Sequence, residues 1–341
     1  MNTKLMVFLA HDPGSYDVTN PVYTKLSDRN HTVKYYCMGP AASLNPQYAA
    51  SEHDFLAELH AYLGAGIISV LVTGRSWGTD LEPRAIRLCQ DFHIPTVAIL
   101  DYWSNYTMRS ADPSCTSICP DHYVVMDELA KNEAVLAGVP QSVIRVLGHP
   151  GLDRYVGYRS LQSKPISNVP KLLFLSQPLS QLYGDSWGYT EQSVLQDLLR
   201  AVEQVPMQLD VKFHPKDNSS FKEQYGSISV TGDLIELIPQ YDLVIGMNSM
   251  ALLHAVIMGV RAVSYQPQLQ IPDVCITTKL GLTPLISTYS QLTAYLQSLP
   301  LLLDNKETDI QIHNKAYLWF DGQSAERVAL FIEDVNRNGQ N

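Results

Sequence analysis

One rhythm runs through this chain twice: a short run of valine, isoleucine and leucine, then a longer amphipathic stretch, then another apolar run. In the first half, Lys4–Ala10, His31–Cys37, Ile67–Val72, Pro95–Leu100 and His122–Met126 read as strands. Between them Pro21–Arg29 reads as part of a helix, and Glu52–Leu63, Leu81–Phe92 and Glu128–Ala137 read as helices. Strands this uniformly apolar are covered on both faces, which is the condition of a parallel sheet. Residues 148–170, rich in Gly, Pro and Ser, break the rhythm and read as a connecting segment. It then restarts, with strands at Lys171–Ser176, Gln208–Phe213, Asp242–Gly246 and Arg261–Tyr265. The alternating helices are Thr190–Val205, Asp233–Gln240, Met250–Met258, Ser290–Leu299 and Gln323–Val335. The last carries Ala325, Val328, Ala329 and Ile332 at i, i+3, i+4, i+7, a stripe that docks on a core. The expected fold is α/β: two Rossmann-like, doubly wound domains facing across a cleft, closed by a C-terminal helix. The expected boundaries are 1–150, a linker at 151–170, 171–320, and a helix and tail at 321–341.

Charge narrows the function. With 24 basic and 34 acidic residues in 341, the net charge is −10, and no basic run interrupts it. A surface that tracks nucleic-acid phosphates is therefore not expected. An anionic ligand must be held by helix N-termini and a few placed cations. Five cysteines do not make a disulfide framework, and Cys115 and Cys119 lack a second Cys/His pair at zinc-ligand spacing. The six consecutive apolar residues Leu5–Ala10 are too few for a signal-peptide core or a membrane span. No basic amphipathic helix offers a membrane anchor. The expectation is a soluble, cytoplasmic protein.

In such sheets ligands sit beyond the carboxyl ends of the strands. Three strand ends of the second half carry chemistry. Lys212-Phe213-His214-Pro215-Lys216 ends one strand; the proline forbids a continued ladder and holds His214 extended, so His214 and Lys216 are candidate phosphate donors. Asp242–Gly246 runs into Met247-Asn248-Ser249-Met250 and an apolar helix. That turn presents backbone N–H groups and a hydroxyl at a helix N-terminus, an anion site that needs no basic residue. Asn248 or Ser249 is equally a favoured N-cap. Ser176-Gln177-Pro178 ends a third strand but lacks G-x-G-x-x-G, which argues against a dinucleotide dehydrogenase; no Walker A sequence is present.

The strand-His-Pro-Lys followed by Asp-Leu-Val-Ile-Gly-x-Asn-Ser-x-x-Leu-Leu-x-Ala-x-x-x-Gly resembles the C-terminal domain of GT-B-fold glycosyltransferases. It is closest in style to bacterial sialyltransferases, Kdo transferases and CDP-glycerol glycerophosphotransferases. The resemblance covers about 100 residues and extends to the first domain only in architecture. It implies that His214 and Ser249 contact the phosphate of a cytidine-nucleotide donor, with Asn248 where such enzymes often have a second Ser or Thr. His254 stands where many UDP- and GDP-sugar enzymes carry a ribose-binding glutamate, and an imidazole cannot act as that two-acceptor carboxylate. The Ser-Gly-Gly-x-x-Glu-Glu stretch of the hydrolysing UDP-GlcNAc 2-epimerases is absent.

The resemblance also assigns the acceptor and a carboxylate base to the first domain. Asp12, in His-Asp-Pro-Gly-Ser, and Asp101, in Asp-Tyr-Trp-Ser-Asn-Tyr, rank equally as base, with Glu82 third. Each has a structural alternative: Asp12 organises its turn, Asp101 pairs with Arg109. Trp103, Tyr106 and Arg109 are candidate acceptor contacts, aromatic platforms with polar edges. The expected activity is an inverting, metal-independent transfer from a nucleotide-sugar to a glycan or lipid-linked glycan acceptor. The nucleotide-sugar is co-substrate and no cofactor is expected. No Asp-x-Asp stands in a strand context to hold a metal. The donor contacts would be His214, Lys216, Asn248, Ser249, Gln177 and His254. A sugar-nucleotide 2-epimerase or hydrolase, and a non-catalytic subunit of a polysaccharide assembly complex, are the alternatives; a homodimer is compatible with either.

Overall fold

The structure, a computed structural model, describes residues 4–107, 118–158, 169–304 and 317–338. The chain divides into two compact units, Met1–Arg154 with Tyr317–Asn341, and Tyr155–Ala316.

The first unit alternates β1 (Leu5–Ala10), α1 (Pro13–Asp28), β2 (Val33–Cys37), α2 (Gly39–Leu44), α3 (Glu52–Gly64), β3 (Ile68–Thr73), α4 (Leu81–Asp91), β4 (Thr96–Ile99), β5 (His122–Val125), α5 (Glu128–Leu136) and β6 (Ile144–Val146). The strands form one sheet in the order β2-β1-β3-β4-β5-β6, with every pairing parallel. β3 is buried along its whole length, as its unbroken Ile-Ser-Val-Leu-Val-Thr requires. The strand order reverses between β1 and β3, so the carboxyl ends of those strands form the switch point of the sheet.

Two segments carry more structure than their sequence shows. The segment Pro21–Arg29, expected to be part of a helix, lies almost wholly within α1, which begins at Pro13 and runs through Pro21. Val18, Val22 and Leu26 on that helix are fully buried, and their packing offsets the hydrogen bond that Pro21 cannot donate. The first residues of the expected linker, 151–158, fall within the described residues. Pro150, Gly151 and Leu152 are buried, and α6 (Asp153–Val156) follows them. Residues 159–168 of the expected linker lie outside the described residues.

The helix Ser324–Asn338 belongs to the first unit. Its Ala325, Val328, Ala329 and Ile332 lie in one core with Met6, Phe8, Val18, Val22 and Val70. The Asp153 carboxylate accepts the N–H groups of Ser324 and Ala325 and so caps this helix.

The second unit runs β7 (Lys171–Leu175), α7 (Leu179–Tyr183), α8 (Glu191–Val202), β8 (Gln208–Lys212), α9 (Ser219–Gln224), α10 (Leu234–Leu237), β9 (Leu243–Gly246), α11 (Met250–Ile257), β10 (Arg261–Tyr265), α12 (Ile276–Lys279), β11 (Leu285–Ile286) and α13 (Tyr289–Asp304). Its sheet, β11-β10-β9-β7-β8, is again parallel throughout. The order reverses between β7 and β9, which puts Ser176-Gln177 and Met247-Asn248 side by side at the second switch point.

Candidate functional site

A cavity of about 490 Å³ opens at the second switch point. Its lining includes Gln177, His214, Lys216, Asn248 and Ser249, five of the six candidate donor contacts, from three different strand ends. Leu179, Leu182, Phe213 and Leu234 give it an apolar wall. His254, the sixth, is not part of the lining. It sits in the body of α11 with its ring stacked on Tyr155, the centroids 4.0 Å apart and the planes 13° from parallel.

The loop after β8 fixes His214 at its backbone and at its ring. Asp217 Oδ2 accepts the His214 backbone N–H at 2.7 Å, and the Lys216 N–H donates to His214 Nδ1 at 3.1 Å. Because Nδ1 is an acceptor, the neutral ring carries its proton on Nε2, and Nε2–H is the donor left for a ligand. Asp217 is itself buried, and burial pushes its carboxyl above the usual range.

The turn after β9 is organised as a cap. Ser249 Oγ accepts the Ala251 N–H at 3.2 Å, so Ser249 is the N-cap of α11. Its hydroxyl is engaged as an acceptor and keeps its own proton for a further partner. Asn248 is bonded twice to Gln177: its N–H donates to Gln177 Oε1 at 3.0 Å, and Gln177 Nε2 donates to Asn248 Oδ1 at 2.7 Å. The loop that carries Gln177 is fixed by the buried Glu191 carboxylate, which accepts both the Ser180 N–H and the Ser180 hydroxyl.

A second group of polar side chains occupies the switch point of the first unit, where the three candidate bases take different parts. Asp12 Oδ1 accepts the Ser15 N–H and Oδ2 accepts the Trp77 N–H, both at 2.9 Å. Asp12 therefore caps α1 and ties the β1 and β3 loops together. Glu82, 1% exposed, accepts a hydrogen bond from Ser76 Oγ, which in turn accepts the Asp12 N–H. Burial, with Asp12 close by, pushes the Glu82 carboxyl up to about 7.

Asp101 follows β4 and rests on the first turn of α1. A Cβ at Gly14 would stand 1.9 Å from Asp101 Oδ2, so only glycine permits this approach. Burial and the neighbouring Asp12 charge push Asp101 up to about 7, against the opposing pull of Arg75. The His149 ring donates through Nε2 to the Asp101 carbonyl at 2.9 Å and stacks on Trp103.

The candidate acceptor aromatics are largely enclosed in the first unit. Trp103 is 4% exposed; its indole N–H donates to the Asp127 carboxylate, which also accepts the indole N–H of Trp319. Tyr106 is 8% exposed and donates to Glu133. Both rings pack within the first unit, and Tyr106 also lines a small cavity with Ile118, Cys119 and Tyr123. Arg109 lies outside the described residues, and with it the Asp101–Arg109 pair. Trp77, in the Thr73–Gly78 loop that follows β3, is 78% exposed.

Among the described residues no three His, Cys, Asp or Glu side chains gather as a metal site, and no helix is long and apolar enough to cross a membrane. Cys37, Cys89, Cys119 and Cys275 are unpaired thiols, while Cys115 lies outside the described residues.

No protein-family model matches the sequence, and no curated protein matches it. Solved structures do match. The UDP-GlcNAc 2-epimerase of Methanocaldococcus jannaschii shares 15% identity at a TM-score of 0.68, over 97% of this chain and 99% of that one. The UDP-GlcNAc 2-epimerase of Neisseria meningitidis, bound to UDP-GlcNAc, shares 11% at 0.64, over 97% and 100%. A variant of the wall teichoic acid polymerase TagF, soaked with CDPG, shares 12% at 0.59, over 98% and 90%. Likeness at this level of identity speaks for the fold alone: two parallel-sheet α/β domains of GT-B-like architecture, as the strand-end motifs implied.

Proposed function

We propose that this chain is an enzyme acting on a nucleotide-activated sugar, and that it transfers the sugar, with inversion, to a glycan acceptor. The observation that carries the reading is the convergence of His214, Lys216, Gln177, Asn248 and Ser249 on one cavity at a switch point. The His214 Nε2–H, the Ser249 hydroxyl and the N-terminus of α11 are donors to a departing phosphate, and Lys216 adds a full positive charge. Donors of this kind take up the negative charge that develops on the leaving group, so the mechanism invokes no metal.

Asp101 is the base of this proposal. Above about pH 7 it is a carboxylate able to accept the proton of an acceptor hydroxyl. Asp12, with both oxygens committed to backbone N–H groups, serves structure instead. A cytidine nucleotide is the favoured donor, on the His-Pro and Asn-Ser pattern and on the likeness to a polymerase soaked with CDPG.

Calorimetric titration with CMP, CDP, UDP and GDP tests the reading; absence of binding at millimolar concentration to all four would remove it. A second reading, a sugar-nucleotide epimerase or hydrolase, is favoured by the structural likeness to UDP-GlcNAc 2-epimerases. It predicts turnover of donor without acceptor, visible in an NMR time course of donor alone.

A further inference from the structure

Two hydrogen bonds join Gln177 to Asn248 on the wall of the cavity. A backbone N–H can only donate, so the atom facing Asn248 N must be the Gln177 oxygen, at 3.0 Å. The Gln177 nitrogen then faces Asn248 Oδ1, at 2.7 Å, which fixes the second amide as well. Both side chains line the cavity beside His214 and Ser249. Asn248 immediately precedes the N-cap of α11, so its N–H is one of the backbone donors that a loop-to-helix turn offers an anion. That donor is already satisfied, by a neutral carboxamide oxygen.

We propose that Gln177 is a displaceable stand-in for a phosphate oxygen and sets the threshold of charge a ligand needs to enter this site. The inference rests on the reading of the cavity as a nucleotide-phosphate site and concerns how that site discriminates. A hydrogen bond to an ionised oxygen is roughly twice as strong as one between neutral groups, so a phosphate displaces the amide while a neutral hydroxyl or carbonyl gains nothing by doing so. A nucleoside or a free sugar leaves the pair closed, and a nucleotide opens it.

Inorganic pyrophosphate and cytidine are the probes, with the wild-type protein and the Gln177→Ala and Gln177→Glu variants. In the wild type, the amide resonance of Asn248 moves on addition of pyrophosphate and stays in place with cytidine. By calorimetry, Gln177→Ala, which leaves the Asn248 N–H without its internal partner, binds pyrophosphate about threefold to tenfold more tightly, the worth of one net hydrogen bond. Gln177→Glu, which puts a carboxylate against the same N–H, loses binding by about tenfold or more. Unchanged or weaker binding by Gln177→Ala, or an Asn248 resonance indifferent to bound pyrophosphate, overturns the stand-in and leaves the phosphate site intact. Failure of the wild type to bind either pyrophosphate or any nucleotide removes the site and the inference together.

Discussion

The Lys216 backbone N–H points at Nδ1 of His214, 3.1 Å away, and so decides which nitrogen of that ring can donate outward. The proline between them is what turns the chain back on its own side chain. A ring held in this way needs no reorganisation when a phosphate arrives, which is the condition under which a single donor is most effective.

On this basis His214→Ala lowers kcat of the donor reaction by about 10²–10³-fold, the range measured for loss of one preorganised donor to a developing anion. The thermal melt stays close to wild type, since the ring is only partly buried. His214→Ala with undiminished turnover of the donor would show that the ring does not serve the leaving group.

Asp101 must be ionised to accept a proton. Its carboxyl is pushed up to about 7, so kcat/KM rises with pH to a plateau above that value. Asp101→Asn flattens the limb along with the activity, whereas Asp12→Ala removes the cap of α1 and lowers stability first. A profile flat from pH 5 to 9 in the wild type would assign the proton transfer elsewhere.

Glu82 gives a stability signature of opposite sense to an ordinary ion-paired carboxylate. Its folded value, about 7, lies above its ordinary value of 4.5, so the folded protein holds the proton more tightly than the unfolded chain. The resulting stability is fully present below 4.5 and is lost as pH rises towards 7. Glu82→Gln does not titrate, so its melting temperature gains on wild type as pH climbs through that window. Parallel curves for the two proteins across pH 4.5–8 would contradict the assignment.

Trp103→Phe leaves nucleotide and glycan binding unchanged and costs stability, about 1–3 kcal/mol for a lost hydrogen bond to the buried Asp127 carboxylate. Chemical denaturation measures the loss. A selective effect on acceptor KM without loss of stability would restore Trp103 to the site.

The legible part of the site was the part written locally. Pro215 after His214, and Gly246 before Asn248-Ser249, are punctuation that marks a strand end within a few residues, and the strand order then places both ends together. Trp103 was illegible because its partner Asp127 lies 24 positions on, and the other indole on that carboxylate a further 192. A loop aromatic looks the same in sequence whether it faces water or a distant acid. Asp12 and Asp101 could not be ranked for a related reason. What separates them is the Trp77 N–H, 65 positions from Asp12, and the bare backbone of Gly14 beneath Asp101. The strands β6 and β11, of three and two residues, are too short to show any period.

The packing of Ser324–Asn338 against β1 and α1 bears on how the protein is made. A ribosome delivers Met6 and Phe8 first and Val328 and Ile332 some three hundred residues later. Until then the leading portion of the nascent chain has an apolar face with nothing to cover it, and it depends on chaperones or on speed to stay out of aggregates.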